Sequence, residues 1–194
     1  SRTGISSCSQ CPLNSNRRVN GGSVLPRPSK VAIIGEAPGK DEDKARMPFV
    51  GASGNYLREK VSQVGYTWAS VHRMNVINCR PPNNRITSAE GARAIKCCNA
   101  GMLAELEYLG ELGVNTLLAV GQTALNALDV TEATVTKARG SVYQKRVGDY
   151  VFNVLPTYHP AYLLRGNMSE SSTFITDLAK ALKVSREGWK WPDE

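Results

Sequence analysis

Four segments of the chain place reactive or hydrogen-bonding side chains directly after an apolar, strand-like run. Because loops at the carboxyl ends of parallel strands build the ligand sites of open α/β sheets, these groups are expected on one rim. Glu36 and Phe49 are the first candidate site residues. Glu36 belongs to Gly35-Glu36-Ala37-Pro38-Gly39, which follows Val31-Ala32-Ile33-Ile34. Phe49 belongs to Pro48-Phe49-Val50-Gly51, which begins after a spacer of eight residues. The other three segments end at Asn75 to Pro82, Gly121-Gln122 and Thr157 to Pro160.

The segments between these loops alternate between strand-like and helix-like patterns. Strands are predicted at 31–34, 71–79 and 115–120, with a pair of strands over 141–157 broken at Gly148-Asp149. Helices are predicted from Ala52 to Gly65, from a capping box of Thr87 and Glu90 to Gly113, over 123–128 and over 171–184. The alternation predicts a three-layer α/β/α fold with a central, mostly parallel four-stranded sheet.

Length and charge restrict the class of protein. A chain of 194 residues fits one domain over 1–194, with an irregular, cysteine-bearing arm over 1–30. The net charge of +7 favours a polyanion such as nucleic acid as partner, although a basic domain can also be basic only for solubility. No apolar run is long enough for a membrane helix and no signal peptide is recognisable, so a cytoplasmic monomer with no membrane partner is expected. Trp189 and Trp191 are expected in a surface extension.

The cysteines predict a metal site rather than a disulfide framework, since there are five in a chain without an export signal. Cys8 and Cys11 have the C-x-x-C spacing that lets two thiolates bind one metal or cluster. Cys79 lies in a Pro-rich turn, and Cys97 and Cys98 lie on the longest predicted helix. Structural zinc and a four-iron cluster both accept four thiolates, so the spacing leaves the metal open.

Taken together, these segments resemble the family 4 uracil-DNA glycosylases, the iron–sulfur branch of the uracil-DNA glycosylase superfamily. The resemblance covers most of the chain. It is carried by the paired N-terminal cysteines, the segments 35–39 and 48–51 with their spacing, Asn75 four residues before Cys79, and Thr157-Tyr158-His159-Pro160-Ala161-Tyr162-Leu163-Leu164-Arg165. It implies a monofunctional enzyme that releases uracil from DNA and leaves an abasic site for base excision repair.

The resemblance also implies a 4Fe-4S cluster bound by Cys8, Cys11, Cys79 and one cysteine of the long helix. Between Cys79 and the two helix cysteines lie 17 residues for Cys97 and 18 for Cys98, which is more than the family usually has. The apolar stripe that follows, at Met102, Leu106 and Leu109, favours Cys98 as the fourth ligand.

The implied roles agree with the chemistry of four side chains. Removing a base from the stack costs a few kcal/mol, and stacking on Phe49 would return roughly 1–3 kcal/mol. The Asn75 amide can pair with N3–H and O4 of uracil. His159 is expected to donate toward O2 of the departing uracil anion, and Glu36 to orient and activate the attacking water. The second histidine, His72, is expected to be a packing or surface residue.

The remaining site predictions concern the base and the DNA backbone. Glu42 resembles an acidic position that lines the C5 side of the base and hinders thymine, but it lies in an acidic run that could simply be solvated. Ala37 carries no acid, so Glu36 has no obvious substitute. Leu163 is the predicted wedge in the gap left by the flipped nucleotide. Phosphate contacts are predicted for the cationic side chains Arg165, Lys137, Arg139, Arg80 and Arg85.

Four other functions compete with this interpretation. A relative with the same residues could act on another damaged or modified base, and a DNA-binding module could recognise uracil without turnover. A covalent trap through an added histidine loop is disfavoured, because the stretch from Cys79 to Thr87 contains no insertion and no histidine. A nucleotide-binding α/β protein would need a Gly-rich phosphate loop, and the sequence has none of the P-loop or Rossmann type.

Overall fold

A central five-stranded sheet organises the protein, whose computed structural model describes residues 6–188. The predictions for Trp189 and Trp191 lie outside the described residues. Four strands run parallel in the order β2-β1-β3-β5, and β4 pairs antiparallel with β5 at the edge. The bounds are β1 Val31–Gly35, β2 His72–Asn75, β3 Thr116–Val120, β4 Tyr143–Val147 and β5 Tyr150–Thr157.

The mostly parallel sheet is confirmed, but the predicted number of four strands is too small by one. The pair of strands expected over 141–157 forms as β4 and β5, with Gly148 in the left-handed region (φ +59°) at their turn. β4 is exposed at alternate residues, as befits an edge strand that covers the end of a buried sheet. Strand β2 is shorter than predicted and ends at Asn75 rather than near 79.

Helices cover both faces of the sheet, so the three-layer α/β/α architecture is confirmed. Alternate residues of β1 enter separate apolar clusters: Ala32 and Ile34 pack in the cluster that contains α3, whereas Val31 and Ile33 pack in the one that contains α2 and α7. The helices are α1 Lys40–Ala45, α2 Ala52–Gln63, α3 Ala89–Glu111, α4 Gln122–Leu128, α5 Val135–Ala138, α6 Pro160–Leu164 and α7 Ser171–Glu187.

The long helix α3 begins one residue later than the predicted capping box implies. Ser88 is its N-cap residue, and Ser88 Oγ accepts a hydrogen bond from the backbone N–H of Gly91 at 3.1 Å. The capping box of Thr87 and Glu90 is therefore wrong. Ser88 has the extended backbone of an N-cap residue and is in reach of the third N–H of the helix, which is the geometry that capping needs.

The arm before β1 lies along the outer edge of β2. An isolated antiparallel bridge joins Arg18 to Cys79 and a second joins Gly22 to Arg73, while Val19 N–H donates to Asn78 O at 2.7 Å. These bonds satisfy backbone groups that an uncovered edge strand would present to other chains. The arm also begins with a short 3-10 helix, Ser6–Gln10, which packs against α3.

The expectation for His72 has a clear outcome. His72 is a packing residue: it is buried in β2, and its Nε2 lies 2.9 Å from Glu105 Oε1 on α3. None of the helices in residues 6–188 combines the length and apolar character needed to cross a membrane.

Candidate active site and cysteine cavity

A cavity of about 390 Å³ opens at the carboxyl ends of the parallel strands, and we call it the rim pocket. The loops after β1, β2, β3 and β5 all contribute to its wall. The structure thus brings together Glu36, Phe49, Asn75 and His159, which the sequence placed on one rim. The lining residues are Glu36, Ala37, Pro38, Gly39, Glu42, Phe49, Ser53, Gly54, Asn75, Pro81, Asn84, Gly121, Gln122, His159, Ala161 and Arg165.

The Phe49 ring and the Asn75 amide meet at the last residue of β1 because that residue is glycine. A Cβ on Gly35 would lie 2.5 Å from Phe49 Cζ and 2.6 Å from Asn75 Oδ1, closer than such contacts occur in proteins. Phe49 is 8% exposed and Asn75 4% exposed. Both side chains are therefore held by packing at one corner of the rim pocket, with little freedom to reorient.

The backbone of Phe49 adopts a conformation that a bulky residue rarely takes. Its φ is +57°, in the left-handed region, where the side chain is crowded by its own backbone. Helix α2 packs directly against this residue, since a Cβ on Gly54 would lie 2.1 Å from the Phe49 carbonyl carbon. Strained conformations of this kind persist only where the surroundings hold them, and they cluster at functional sites.

Glu42 is one of the groups that hold the loop around Phe49. One carboxylate oxygen accepts the N–H of Gly39 at 3.2 Å, and the other accepts those of Val50 at 2.8 Å and Gly51 at 2.5 Å. Its carboxylate thus joins the start and the end of the loop, so the alternative of a simply solvated Glu42 is wrong. Glu42 and Ala37 both line the rim pocket, and the exclusion of thymine by Glu42 stays a prediction.

Glu36 follows β1 at a backbone position fixed by the segment after β2, because Ile77 N–H donates to Glu36 O at 3.2 Å. Its side chain is half-buried and accepts a hydrogen bond from Thr123 Oγ1 at 2.6 Å. Sequence reasoning missed Thr123. The signal that could have found it is the position of Thr123 directly after Gly121-Gln122, which follow the third apolar run at the same rim.

His159 is oriented by the start of α6. Its Nδ1 accepts the backbone N–H of Ala161 at 3.0 Å, so in the neutral ring the proton lies on Nε2. Burial, reinforced by the Arg165 cation, lowers the pKa of His159 to about 4, and Glu42 opposes this shift only in part. At neutral pH His159 is therefore an uncharged hydrogen-bond donor in the wall of the rim pocket.

The predicted wedge Leu163 is not at the surface. It is 0% exposed and packs among residues of α2 and α7, because α6 turns this face toward the core. The prediction of Leu163 as a wedge is therefore wrong. Its neighbours Tyr162 and Leu164 are 41% and 43% exposed, and the Tyr162 ring stacks on Tyr158 with 5.1 Å between centroids.

The predicted phosphate contacts are in different environments. Arg165 is exposed beside the rim pocket and Lys137 is exposed on α5. Arg139 instead donates to the buried carboxylate of Asp177, through Nε at 2.9 Å and Nη2 at 2.5 Å. Asp177 also accepts from Thr157 Oγ1 at 2.7 Å, so its carboxylate links α7 both to Arg139 at the end of α5 and to the end of β5.

A second cavity, of about 120 Å³, is lined by all five cysteines, and we call it the cysteine cavity. The arm, the turn after β2 and helix α3 each contribute thiols. Leu13, Asn14, Arg18, Ile77, Asn78 and Ala94 complete its wall. Within residues 6–188, no three His, Cys, Asp or Glu side chains are arranged to hold a single metal ion.

Both helix cysteines lie close to the other thiols. Burial raises the pKa of Cys79 to about 11, and the thiols of Cys98 and Cys11 add to this shift. Burial also raises the pKa of Cys11, opposed by the Leu13 N–H and assisted by the Cys97 thiol. The geometry therefore leaves both Cys97 and Cys98 available to the cysteine cavity.

Comparison with known proteins gives the same assignment for most of the chain. Residues 23–183 match the profile described as "Uracil DNA glycosylase superfamily". A Type-4 uracil-DNA glycosylase of Thermotoga maritima is 34% identical over 190 residues, which cover 95% of this chain and 93% of the relative. A protein of the same name from Archaeoglobus fulgidus is 32% identical over 82% of this chain and 79% of its own length. Another from Pyrobaculum aerophilum is 34% identical over 83% of this chain and 81% of its own length. The resemblance found in the motifs is thereby confirmed, and the chain belongs to the type-4 uracil-DNA glycosylases of the uracil-DNA glycosylase superfamily.

Proposed function

We propose that the protein hydrolyses the N-glycosidic bond of uracil in DNA, leaving an abasic site as the first step of base excision repair. The observation that carries this proposal is the rim pocket. In a chain of this family, it joins an aromatic ring, a buried amide, a carboxylate and a neutral imidazole within one cavity.

Phe49 and Asn75 are the proposed binding groups for the base. A flipped nucleotide loses its stacking in the duplex, and contact with an aromatic face returns about 1–3 kcal/mol per base. The Asn75 amide offers an acceptor for N3–H and a donor for O4 of uracil. Packing against Gly35 limits its rotation, which supports discrimination against cytosine because the donor and acceptor pattern of that base is reversed.

His159 and Glu36 are the proposed catalytic groups. As the bond from C1′ to N1 breaks, its electron pair leaves with uracil and negative charge develops on O2. A donor already directed at that charge stabilises the transition state more than the ground state. His159 can supply Nε2–H without protonating the base, because its pKa is about 4. Glu36 orients the water whose oxygen bonds to C1′, and its carboxylate can take up the proton that this water loses.

The cysteine cavity is the proposed site of a 4Fe-4S cluster. In such a cluster the thiolates bind separate irons and surround a volume, whereas structural zinc draws four ligands to one centre. Thiols around a cavity of about 120 Å³ fit the first arrangement. The proposed ligands are Cys8, Cys11, Cys79 and Cys98, with Cys97 as the alternative to Cys98. When bound, the cluster would cross-link the arm, the turn after β2 and α3.

Binding to the DNA backbone is proposed for the cationic side chains around the rim pocket. Arg165 borders the pocket and Lys137 lies exposed on α5, while Arg80 and Arg85 flank the turn after β2. Phosphate contacts of this kind are independent of sequence and weaken with salt. Because Leu163 is buried, the wedge role passes to the exposed Leu164 or Tyr162.

The test is to incubate the protein with oligonucleotides that carry uracil, hypoxanthine, thymine opposite guanine, or modified cytosines, and to cleave abasic sites with alkali. We expect strand cleavage at uracil, its loss in Glu36→Ala, and its retention in Glu132→Ala, which removes an exposed carboxylate outside the rim pocket. An intact uracil strand combined with cleavage at another base would overturn the proposal.

A further inference from the structure

The turn between β3 and α4 lies between the two proposed catalytic residues. In the sheet, β3 has β1 on one side and β5 on the other, and Glu36 and His159 follow those two outer strands. Parallel strands end on the same rim, so the turn after β3 is placed where it can touch both groups. The Gly121–Thr123 turn is therefore a candidate for fixing their relative position.

The contacts of this turn reach both sides. Thr123 Oγ1 donates to Glu36 Oε2 at 2.6 Å. On the other side, Gly121 N–H donates to Thr157 O at 2.9 Å, two residues before His159. Gly121 has φ +94°, and a Cβ there would lie 3.0 Å from His159 Cβ. One short turn thus bonds to the carboxylate and packs against the imidazole.

The turn is itself held in place by Gln122. Its Oε1 accepts Val135 N–H at 2.8 Å, and its Nε2 donates to Asn126 Oδ1 at 2.8 Å. These bonds connect the first turn of α4 to its second turn and to the start of α5. The Thr123 hydroxyl is consequently presented to Glu36 from a segment with little freedom to move.

We propose that Thr123 is a positioning residue for Glu36, an inference that rests on the proposed function. A threonine hydroxyl has one proton, and here it is donated to Oε2 of the carboxylate. Within residues 6–188, Oε1 has no hydrogen-bond partner that would hold it away from an incoming water. The bond from Thr123 therefore fixes the rotation of the carboxylate, so that Oε1 can receive the attacking water.

The test compares Thr123→Val, which keeps the shape of the side chain but removes the hydroxyl, with Thr123→Ser, which keeps the hydroxyl. In single-turnover assays on uracil-DNA, Thr123→Val should slow cleavage by about tenfold or more, as expected for a lost hydrogen bond to a charged group. Its Kd for uracil-DNA should stay within about twofold of the parent value, because the bond acts on the chemical step. Thr123→Ser should recover most of the rate, and Thr136→Val, at an exposed position of α5, should match the parent.

A double-mutant cycle separates positioning from a general disturbance of the pocket. In a Glu36→Ala background, Thr123→Val should have little further effect on the residual rate, because the group that it positions is gone. Equal loss of rate in both backgrounds, or equal rates for the Val and Ser variants, would overturn the proposal. If the parent protein itself left uracil in place, the proposed function would fail instead, so the two failures are distinguishable.

Discussion

The rim pocket and the cysteine cavity are built from neighbouring parts of the same chain but are held in different ways. In the rim pocket, the last residue of β1 touches both Phe49 and Asn75, and Gly54 touches the backbone of Phe49. In the cysteine cavity, the thiols come from an arm, a turn and a helix, and they line one space of about 120 Å³. Backbone bonds such as Val19 N–H to Asn78 O hold the arm beside this cavity.

The rim pocket is thus shaped by the sheet, whereas the cysteine cavity lies where the arm, the turn after β2 and α3 meet. The strand ends fix the rim pocket through contacts that leave no room for a methyl group. In the cysteine cavity, thiols from three separate segments converge on one space, and this convergence is the physical reason for proposing a bound cluster.

Gly35→Ala should disable the rim pocket while leaving the cysteine cavity intact. The new Cβ would lie 2.5 Å from Phe49 Cζ and 2.6 Å from Asn75 Oδ1, so at least one of them must move. Misplacement of a positioned group by about 1 Å can cost about a hundredfold in rate. We expect a loss of that size in uracil release, with unchanged iron content. Gly22→Ala is the matched control because its Cβ would meet nothing within 4 Å, and an equal loss there would contradict the steric argument.

Cysteine variants should lose iron and thermal stability, in contrast to Gly35→Ala, which should lose activity with unchanged iron content. The parent protein should contain about four iron and four sulfide ions per chain, as expected for a 4Fe-4S cluster, and Cys79→Ser should lose most of both. The melting temperature should fall with them, since the arm loses its cross-link. Cys98→Ser should lose more iron than Cys97→Ser, measured together with visible absorption. The reverse order would assign the fourth ligand to Cys97, and zinc in place of iron would reject the cluster.

Leu163 and Leu164 separate packing from DNA contact within one short helix. Leu163→Ala should lower the free energy of unfolding by about 2–5 kcal/mol, as for other buried leucines, measured by denaturant titration. Leu164→Ala should stay within about 0.5 kcal/mol of the parent, as exposed substitutions do. The Leu164 variant should instead release uracil more slowly from duplex than from single-stranded DNA, relative to the parent. No such difference would leave the wedge role to Tyr162.

The sequence pattern predicted the elements whose structure depends on residues close together in the chain. The apolar runs of β1 and β3 are buried on both faces, so their strands were predictable from hydrophobicity alone. Leu163 was not, because the buried face of a five-residue helix depends on what packs against it. Arg139 and Asp177 are 38 residues apart, and the residues around each of them do not indicate that the two side chains pair. Thr123 was missed for the same reason, being 87 residues from Glu36.

The protonation state of His159 tests the environment of the rim pocket. With a pKa of about 4, the ring should stay neutral from pH 8 down to about pH 5 and donate through Nε2 throughout. The uracil-release rate should therefore show no inflection from His159 near its ordinary pKa of about 6.5. In the unfolded chain the ring protonates near that ordinary value, so stability should fall as the pH drops from about 6.5 to 4. An NMR titration of His159 with a midpoint near pH 6.5 would contradict this environment.

The smallest effects are expected at the cationic residues around the rim pocket. For undamaged DNA, the slope of log affinity against log salt should decrease by about 1 in Arg165→Gln and in Lys137→Gln, because each removes one phosphate contact. Lys183→Gln is a control on α7, next to residues that line a cavity at the amino end of β1 and far from the rim. Arg139→Gln should differ from all three, since it leaves the buried Asp177 carboxylate without its main partner and so lowers the melting temperature. If neither Arg165→Gln nor Lys137→Gln changed the salt slope, the DNA backbone would have to bind elsewhere on the protein. The flipped base would then have to enter the rim pocket from another direction.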